Sequence, residues 1–122
     1  MLQGLSKMST KINSGEFNCF DLVGCVFNLN ETDIQILQSF DKNNGKTIKQ
    51  IAQKINKDRS TVHRSLEKLI SCNICYKERK SGNTRGFVDY YYRISDKDIF
   101  KKAEINLDKC YSSIKKMLVE LE

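Results

Sequence analysis

A cationic, hydroxyl-rich stretch in the middle of the chain carries the side chains best suited to recognising a polyanion. From residue 59 the sequence is Arg-Ser-Thr-Val-His-Arg-Ser-Leu-Glu-Lys-Leu-Ile. Val62, Leu66, Leu69 and Ile70 recur at helical spacing and predict a buried stripe, which leaves the polar groups on the opposite face. Such a face offers hydrogen-bond donors for base edges and cations for phosphates. The sequence therefore predicts a DNA recognition helix over residues 58–70.

The predicted DNA-binding residues form two groups with different chemistry. The group expected at base edges in the major groove comprises Ser60, Thr61, His63 and Arg64, and the Arg64 guanidinium is the best candidate for guanine. The group expected to neutralise phosphates comprises Lys49, Lys54, Arg59 and Lys68, together with Lys80 and Arg85 from a later loop.

The elements around this stretch predict a helix-turn-helix. Residues 47–57 have the pattern of a short helix, with Thr47 and Gln50 spaced as a capping box. A turn around Asn56 follows, and Asp58 is placed to cap the recognition helix. Two short helices joined by such a turn are the arrangement that places the second helix in the major groove.

A β-hairpin is expected directly after the recognition helix. Residues 74–80 are predicted to form the first strand, residues 80–86 form a cationic, glycine-containing loop, and residues 87–94 are rich in aromatic and β-branched side chains. In this position the hairpin is the wing of a winged-helix domain, and its tip suits contact with the DNA backbone. The alternative is an ordinary hairpin with a soluble tip.

Two further helices are expected before the helix-turn-helix. The first spans residues 17–27, and the second begins after an Asn30 cap. Ile34, Leu37 and Phe40 are its expected buried stripe. Gly45 is expected to supply a positive φ in the turn that ends it.

The C-terminal segment shows an unbroken heptad pattern. The residues spaced alternately three and four apart are Phe100, Ala103, Leu107, Cys110, Ile114, Met117 and Leu121. Such a seam buries its apolar surface against a second helix, so we expect a homodimer through this helix, in parallel or antiparallel pairing. The alternative is a terminal helix packed on its own domain.

Charge and composition agree with this organisation. The 122-residue chain carries a formal net charge of +6. The excess lies in residues 47–93, as expected for a polyanion-binding segment. We predict a mainly α fold with a small β-hairpin: a flexible segment at 1–16, a winged helix-turn-helix DNA-binding domain at 17–94, and a dimerisation helix at 95–122.

The five cysteines leave a second hypothesis open. Cys72 and Cys75 have the spacing of thiol redox pairs and of zinc or iron–sulfur ligands, and Cys19 and Cys25 complete a four-thiolate set if the first helix folds against that turn. The regulator would then sense redox state or metal. The alternative is that these cysteines are small core residues, in which case no cofactor is expected.

Other function classes find little support in the sequence. The single histidine, His63, lies on the predicted DNA-binding face, and no phosphate-binding loop or catalytic motif is present, so we expect no catalysis. No apolar run has the length of a membrane span, and we expect a cytoplasmic protein without membrane contact. A winged helix that binds protein instead of DNA is the third hypothesis, which the cations of the recognition face disfavour.

The segment Asp-Arg-Ser-Thr-Val-His-Arg-Ser-Leu-Glu-Lys-Leu at 58–69 resembles archaeal winged-helix transcriptional regulators of the TrmB-like group, to which MarR-like and ArsR-like folds are related. The basic wing, Tyr-Tyr-Tyr-Arg at 90–93 and Leu-Asp-Lys-Cys-Tyr at 107–111 extend the resemblance over roughly residues 20–121. It implies sequence-specific binding to double-stranded DNA as a dimer, without catalysis. A sugar effector is not implied, because the chain has no room for the separate sugar-binding domain of larger TrmB proteins.

Overall fold

The computed structural model describes residues 19–41, 44–81 and 86–121, and within these ranges the chain forms five helices and one two-stranded sheet. The elements are α1 (Cys19–Phe27), α2 (Glu31–Ser39), α3 (Ile48–Ile55), α4 (Arg59–Ser71), β1 (Cys75–Ser81), β2 (Phe87–Arg93) and α5 (Asp96–Glu120). The predicted fold, a winged helix-turn-helix domain with a long C-terminal helix, is confirmed. The predicted segment 1–16 lies outside the described residues.

The described residues divide into two units. The central unit spans residues 30–94, and the terminal unit combines residues 19–29 with residues 95–121. The sequence analysis grouped α1 with the DNA-binding domain, whereas this division groups it with α5. The two helices contact each other directly.

Three helices of the central unit begin at capping residues that the sequence identified. Asn30 Oδ1 accepts from the Asp33 N–H at 2.8 Å, Thr47 exchanges hydrogen bonds with Gln50, and Asp58 accepts from the Thr61 N–H at 3.2 Å. Asn56 adopts a left-handed conformation between α3 and α4, with φ of 57°. The Asp58 cap thus determines where α4 begins, and the left-handed Asn56 sets the turn between α3 and α4.

The core of the central unit lies between the three helices and the hairpin. Its buried apolar residues are Ile36, Leu37, Phe40, Ile51, Ala52, Val62, Leu66, Leu69, Ile74, Cys75 and Tyr91. Val62, Leu66 and Leu69 are fully buried, as their spacing predicted. For α2, the sequence pattern predicted that Ile34 is buried, but this residue is half-buried. The pattern missed Ile36, which is fully buried.

The wing is an antiparallel hairpin in which Cys75 pairs with Arg93 and Ser81 with Phe87. Lys46 forms an isolated antiparallel bridge to β2, because its backbone exchanges hydrogen bonds of 2.9 and 2.7 Å with Tyr91. Since side chains alternate across a strand, Tyr91 faces the core while Tyr90 and Tyr92 lie on the opposite face. The hairpin is therefore fixed to the helical core through Tyr91.

The prediction for Gly45 is wrong. Among the described glycines only Gly86 has a positive φ, of 104°. A Cβ at Gly45 would lie 2.6 Å from Cζ of the Tyr92 side chain. A side chain at Gly45 would displace the Tyr92 ring, which covers the Gly45 backbone, and local sequence does not reveal this long-range contact.

The terminal unit is built on α1 and the N-terminal part of α5. Val23, Ile99 and Ala103 are fully buried, and the Phe20 and Phe100 rings meet edge to face with centroids 5.9 Å apart. Ser95 caps α5 by accepting from the Asp98 N–H at 3.2 Å. From residue 104 onward every described side chain of α5 is exposed except Cys110, which is half-buried.

Candidate nucleic-acid interface

Helix α4 presents a polar, cationic surface opposite its buried stripe. Arg59, Ser60, His63 and Arg64 are exposed, and Thr61 is half-buried beside them. With exposed Lys49 and half-buried Ile48 of α3, the exposed residues of α4 line a shallow groove of about 460 Å³. The structure thus brings Lys49, Arg59, Ser60, His63 and Arg64 to one surface, which we call the α4 face.

The cations predicted to contact phosphate fall into two classes. Within the described residues, Lys49, Arg59 and Arg64 take part in no salt bridge. Lys54 donates to the Ser39 carbonyl at 2.7 Å and lies 3.5 Å from Asp41, and Lys68 donates to Asp33 at 2.8 Å. The first class is available for a ligand, whereas the second already binds groups of the same fold.

His63 has an acidic neighbour on the same helix. Its Nε2 lies 3.6 Å from Oε1 of Glu67, one turn away, and Lys77 of β1 lies 4.0 Å from the same oxygen. All three side chains are about half exposed. Glu67 is therefore an acidic residue between the α4 face and the wing. The cations Arg59 and Arg64 lie nearer the N-terminus of α4.

Lys80 of the wing is held by tyrosines. Its ammonium donates to the Tyr92 hydroxyl at 2.9 Å and lies 5.3 and 5.6 Å from the ring centroids of Tyr90 and Tyr92. Tyr92 in turn stacks on Tyr76, with ring centroids 5.2 Å apart. The hydrogen bond to Tyr92 raises the pKa of Lys80, so the exposed cation remains charged on a rigid aromatic support. Arg85 lies outside the described residues.

An ion pair joins the two strands on the other face of the hairpin. Arg79 Nε donates to Asp89 at 3.0 Å across the two strands. This contact lowers the pKa of Asp89 and raises that of Arg79. Because both groups are solvent-accessible, the pair serves chiefly to align the strands.

The cysteines predicted as a thiol or metal site have different surroundings. Cys75 is buried, and desolvation raises the pKa of its thiol to about 12, while Cys72 and Cys25 are half-buried. The Cys19 side chain lies outside the described residues. No group of three or more histidine, cysteine or carboxylate side chains suited to a metal ion occurs in the described part of the chain. A reactive thiolate at Cys75 is disfavoured at neutral pH.

The predicted dimerisation residues separate into covered and uncovered positions. Ala103 is buried and Phe100 packs on Phe20 within the terminal unit. The uncovered positions are Leu107 (39% exposed), Ile114 (40%), Met117 (64%) and Leu121 (83%), and Tyr111 and Leu118 widen the same surface. We call the surface of these six residues the distal α5 face.

Comparisons with known proteins agree with this architecture. Residues 29–74 match the profile of a family described as winged helix-turn-helix DNA-binding. Two uncharacterized proteins of Methanocaldococcus jannaschii are related in sequence. MJ1503 is 26% identical over 118 residues (97% of this chain and 89% of that protein), and MJ1082 is 29% identical over 104 residues (84% and 85%).

Two solved structures share the fold. A possible transcriptional regulator from Methanosarcina mazei superposes with a TM-score of 0.77 at 23% identity, covering 87% of this chain and 90% of that one. The ST1889 protein of Sulfolobus tokodaii superposes with a TM-score of 0.62 at 21% identity, covering 88% and 98%.

None of the helices in the described ranges is both long and apolar enough to cross a membrane.

Proposed function

We propose that this protein is a sequence-specific DNA-binding transcriptional regulator that acts as a homodimer on pseudo-palindromic sites. The observation that carries the proposal is the α4 face, where Arg59, His63 and Arg64 are exposed on a helix whose apolar side is fully buried. The matched family profile and the shared winged helix-turn-helix fold support DNA as the ligand. A TrmB-like affiliation is part of this proposal.

The side chains of α4 suit two kinds of contact. Ser60, Thr61, His63 and Arg64 supply donors and acceptors of the length needed to reach base edges, and Arg64 is suited to bidentate binding of guanine. Lys49 and Arg59 border the same groove and suit phosphate. Lys54 and Lys68 are ion-paired within the described fold, which makes them weaker candidates for phosphate contact.

Substitutions on the α4 face test this assignment. A duplex selected from a random-sequence library on the wild-type protein, and the same duplex with its sequence shuffled, serve as probes in fluorescence-anisotropy titrations. Arg64→Ala should weaken binding to the selected duplex by about 1–3 kcal/mol and reduce the preference for it. Lys49→Ala should weaken both duplexes together and flatten the log–log salt slope by roughly 0.9.

Lys109→Ala is the matched control, because it removes an exposed lysine from the terminal unit. It should leave affinity and preference unchanged. If Arg64→Ala and Lys49→Ala also have no effect, the assignment of DNA binding to the α4 face is wrong. A winged helix that binds protein instead of DNA would enrich no duplex from the library.

The wing is proposed to contact the DNA backbone. Lys80 is exposed and charged, and its tyrosine contacts restrict its motion, which lowers the entropy cost of a fixed contact. Lys80→Met should therefore flatten the salt slope by roughly 0.9. An unchanged slope would show that this face of the hairpin points away from DNA. Arg85 remains a proposed second contact.

The second copy of the chain is the proposed occupant of the distal α5 face. Leu107, Ile114 and Leu121 repeat at seven-residue spacing, and only a long helix with the same repeat matches this pattern along its length. Each large side chain covered by a partner contributes roughly 1.5–3 kcal/mol. A two-fold dimer then presents two α4 helices to half-sites whose centres lie about 10 bp, or a multiple of that, apart.

We propose no catalytic role. His63 is the histidine of the sequence, and it lies about half exposed on the α4 face, where its described neighbour is Glu67. This surface lacks the enclosed geometry that general acid–base chemistry needs. The thiol-sensing hypothesis loses support from the buried, high-pKa Cys75.

A further inference from the structure

A buried carboxylate connects α4 to the start of α2. Asp33 is 1% exposed although it lies in the first turn of α2. Its Oδ2 accepts from the Asn30 backbone N–H at 3.0 Å and from Lys68 Nζ at 2.8 Å, and its Oδ1 accepts from the Ser65 hydroxyl. We call Asp33, Ser65 and Lys68 the Asp33 cluster.

The cluster constrains α4 more specifically than the apolar core does. Ser65 and Lys68 lie three residues apart on one side of α4, so both donors meet the same carboxylate. Hydrogen bonds depend on direction as well as distance, whereas apolar burial is non-directional. Rotation or sliding of α4 would break these contacts before it exposed the core. A buried ion pair contributes little net stability relative to an apolar replacement, so its main effect here is geometric.

Arg64 is the residue most directly affected by that geometry. It is adjacent to Ser65 in sequence and borders the groove of the α4 face. It also borders a second groove of about 220 Å³, which is lined by Asn30, Thr32, Asp33, Thr61, Arg64, Ser65 and Lys68. The proposed guanine-binding side chain therefore lies between the DNA-facing groove and the Asp33 cluster.

We propose that the Asp33 cluster fixes the orientation of α4 and thereby positions Arg64 for base recognition. Lys68 is in this account a positioning residue and not a phosphate contact. The inference rests on the proposed DNA-binding function. It assigns sequence preference partly to a carboxylate that touches no DNA.

Asp33→Asn tests the role of the charge, because asparagine preserves the shape and one hydrogen-bond acceptor. The probes are the selected duplex and its shuffled counterpart. The ratio of their affinities should fall by about tenfold, within the range expected for one bidentate base contact. In an Arg64→Ala background the same change should alter the ratio less than about twofold, since coupled residues are not additive. An equal fall in both backgrounds would overturn the proposed action through Arg64.

Lys68→Met provides the second arm. Its side chain is 38% exposed, but methionine leaves the buried Asp33 carboxylate without its cation, so thermal unfolding by circular dichroism first establishes that each variant is folded, and the charge-conserving Lys68→Arg variant is measured beside it. The affinity ratio should fall while the salt slope stays constant, and Lys68→Arg should recover most of the ratio. A slope flattened by roughly 0.9 with an unchanged ratio would make Lys68 a phosphate contact and overturn the proposal. Equal wild-type affinity for both duplexes would instead overturn the proposed function, and this inference with it.

Discussion

Helices α4 and α5 carry apolar residues at similar spacing but in different surroundings. Val62, Leu66 and Leu69 of α4 are fully buried within the central unit. Leu107 and Ile114 of α5 remain 39% and 40% exposed within the terminal unit. Helical periodicity thus identifies which face of a helix is apolar, but not whether the same chain covers that face.

The same contrast extends to the polar sides of the two helices. The exposed side of α4 carries arginine, serine and histidine near its N-terminus, which suits a polyanion with hydrogen-bonding bases. The exposed side chains of α5 include lysines opposite the apolar face, as in a solvated helix. This contrast supports the proposals that α4 binds DNA and that α5 mediates self-association.

The largest effect is expected from charges placed in the distal α5 face. Leu107→Asp combined with Ile114→Asp should convert the proposed dimer to a species of the 14.1 kDa chain mass, measured by light scattering. Affinity for a two-half-site duplex should fall by about 10²–10⁴, because the second half-site loses its linked partner.

Ser112→Asp is the control for this pair, since it adds a charge on an exposed part of α5 outside the seam. It should remain dimeric and bind DNA normally. A Leu107→Asp/Ile114→Asp protein that stays dimeric would place the interface elsewhere.

The next prediction compares the loss of stability when a buried leucine of α4 or an exposed leucine of α5 is shortened. Leu66→Ala should lower the free energy of unfolding of the central unit by about 2–5 kcal/mol, because a cavity forms in its core. Leu118→Ala, measured as monomer, should change unfolding by less than about 0.5 kcal/mol, because Leu118 is 60% exposed. Urea titrations of both variants, at a protein concentration too low for dimer formation, provide the comparison. Similar losses for both would contradict the burial contrast.

A smaller effect is expected where the wing meets the turn before α3. Gly45→Ala places a Cβ 2.6 Å from the Tyr92 ring and should destabilise the central unit by about 1–3 kcal/mol. In a Tyr92→Ala background the same substitution should cost much less, since the obstructing ring is absent. Equal costs in both backgrounds would show that Gly45 is required for another reason.

The smallest effect concerns the cap of α4 and its pH dependence. The Thr61 side chain and backbone N–H donate to Asp58 and hold the pKa of this carboxyl below its usual value. The stabilisation is therefore present above the unfolded-state pKa and is lost as the pH falls through the lower folded-state pKa. Asp58→Ala should lower the melting temperature at pH 7, and this difference should disappear in strongly acidic solution. A constant difference across that range would exclude the carboxylate as its source.

The sequence predicted the features that depend on neighbouring residues. The caps at Asn30, Thr47 and Asp58, the Asn56 turn and the wing all follow from local spacing and turn chemistry. The buried stripe of α4 also followed from periodicity. These elements position the exposed residues of the α4 face, so that face could be proposed from sequence.

The sequence could not predict the partners of individual polar groups across the fold. Lys68 had the spacing of an exposed cation, but its carboxylate partner lies 35 residues earlier. Asp33 had the position of a helix-dipole acid, and only its contact with Ser65 and Lys68 reveals a second role. Lys80 likewise meets Tyr92 through strand pairing. The presence of serine within the buried stripe at Ser65 was the one indication of such a network.

Amide chemical-shift mapping during titration with the selected duplex reports on α4 and α5 in the same sample. If α4 binds DNA and α5 does not, the largest perturbations should occur at Lys49 and residues 59–64, with the amides of residues 104–121 nearly unchanged. Perturbations concentrated in residues 104–121, with none at 59–64, would contradict the assignment of DNA binding to α4.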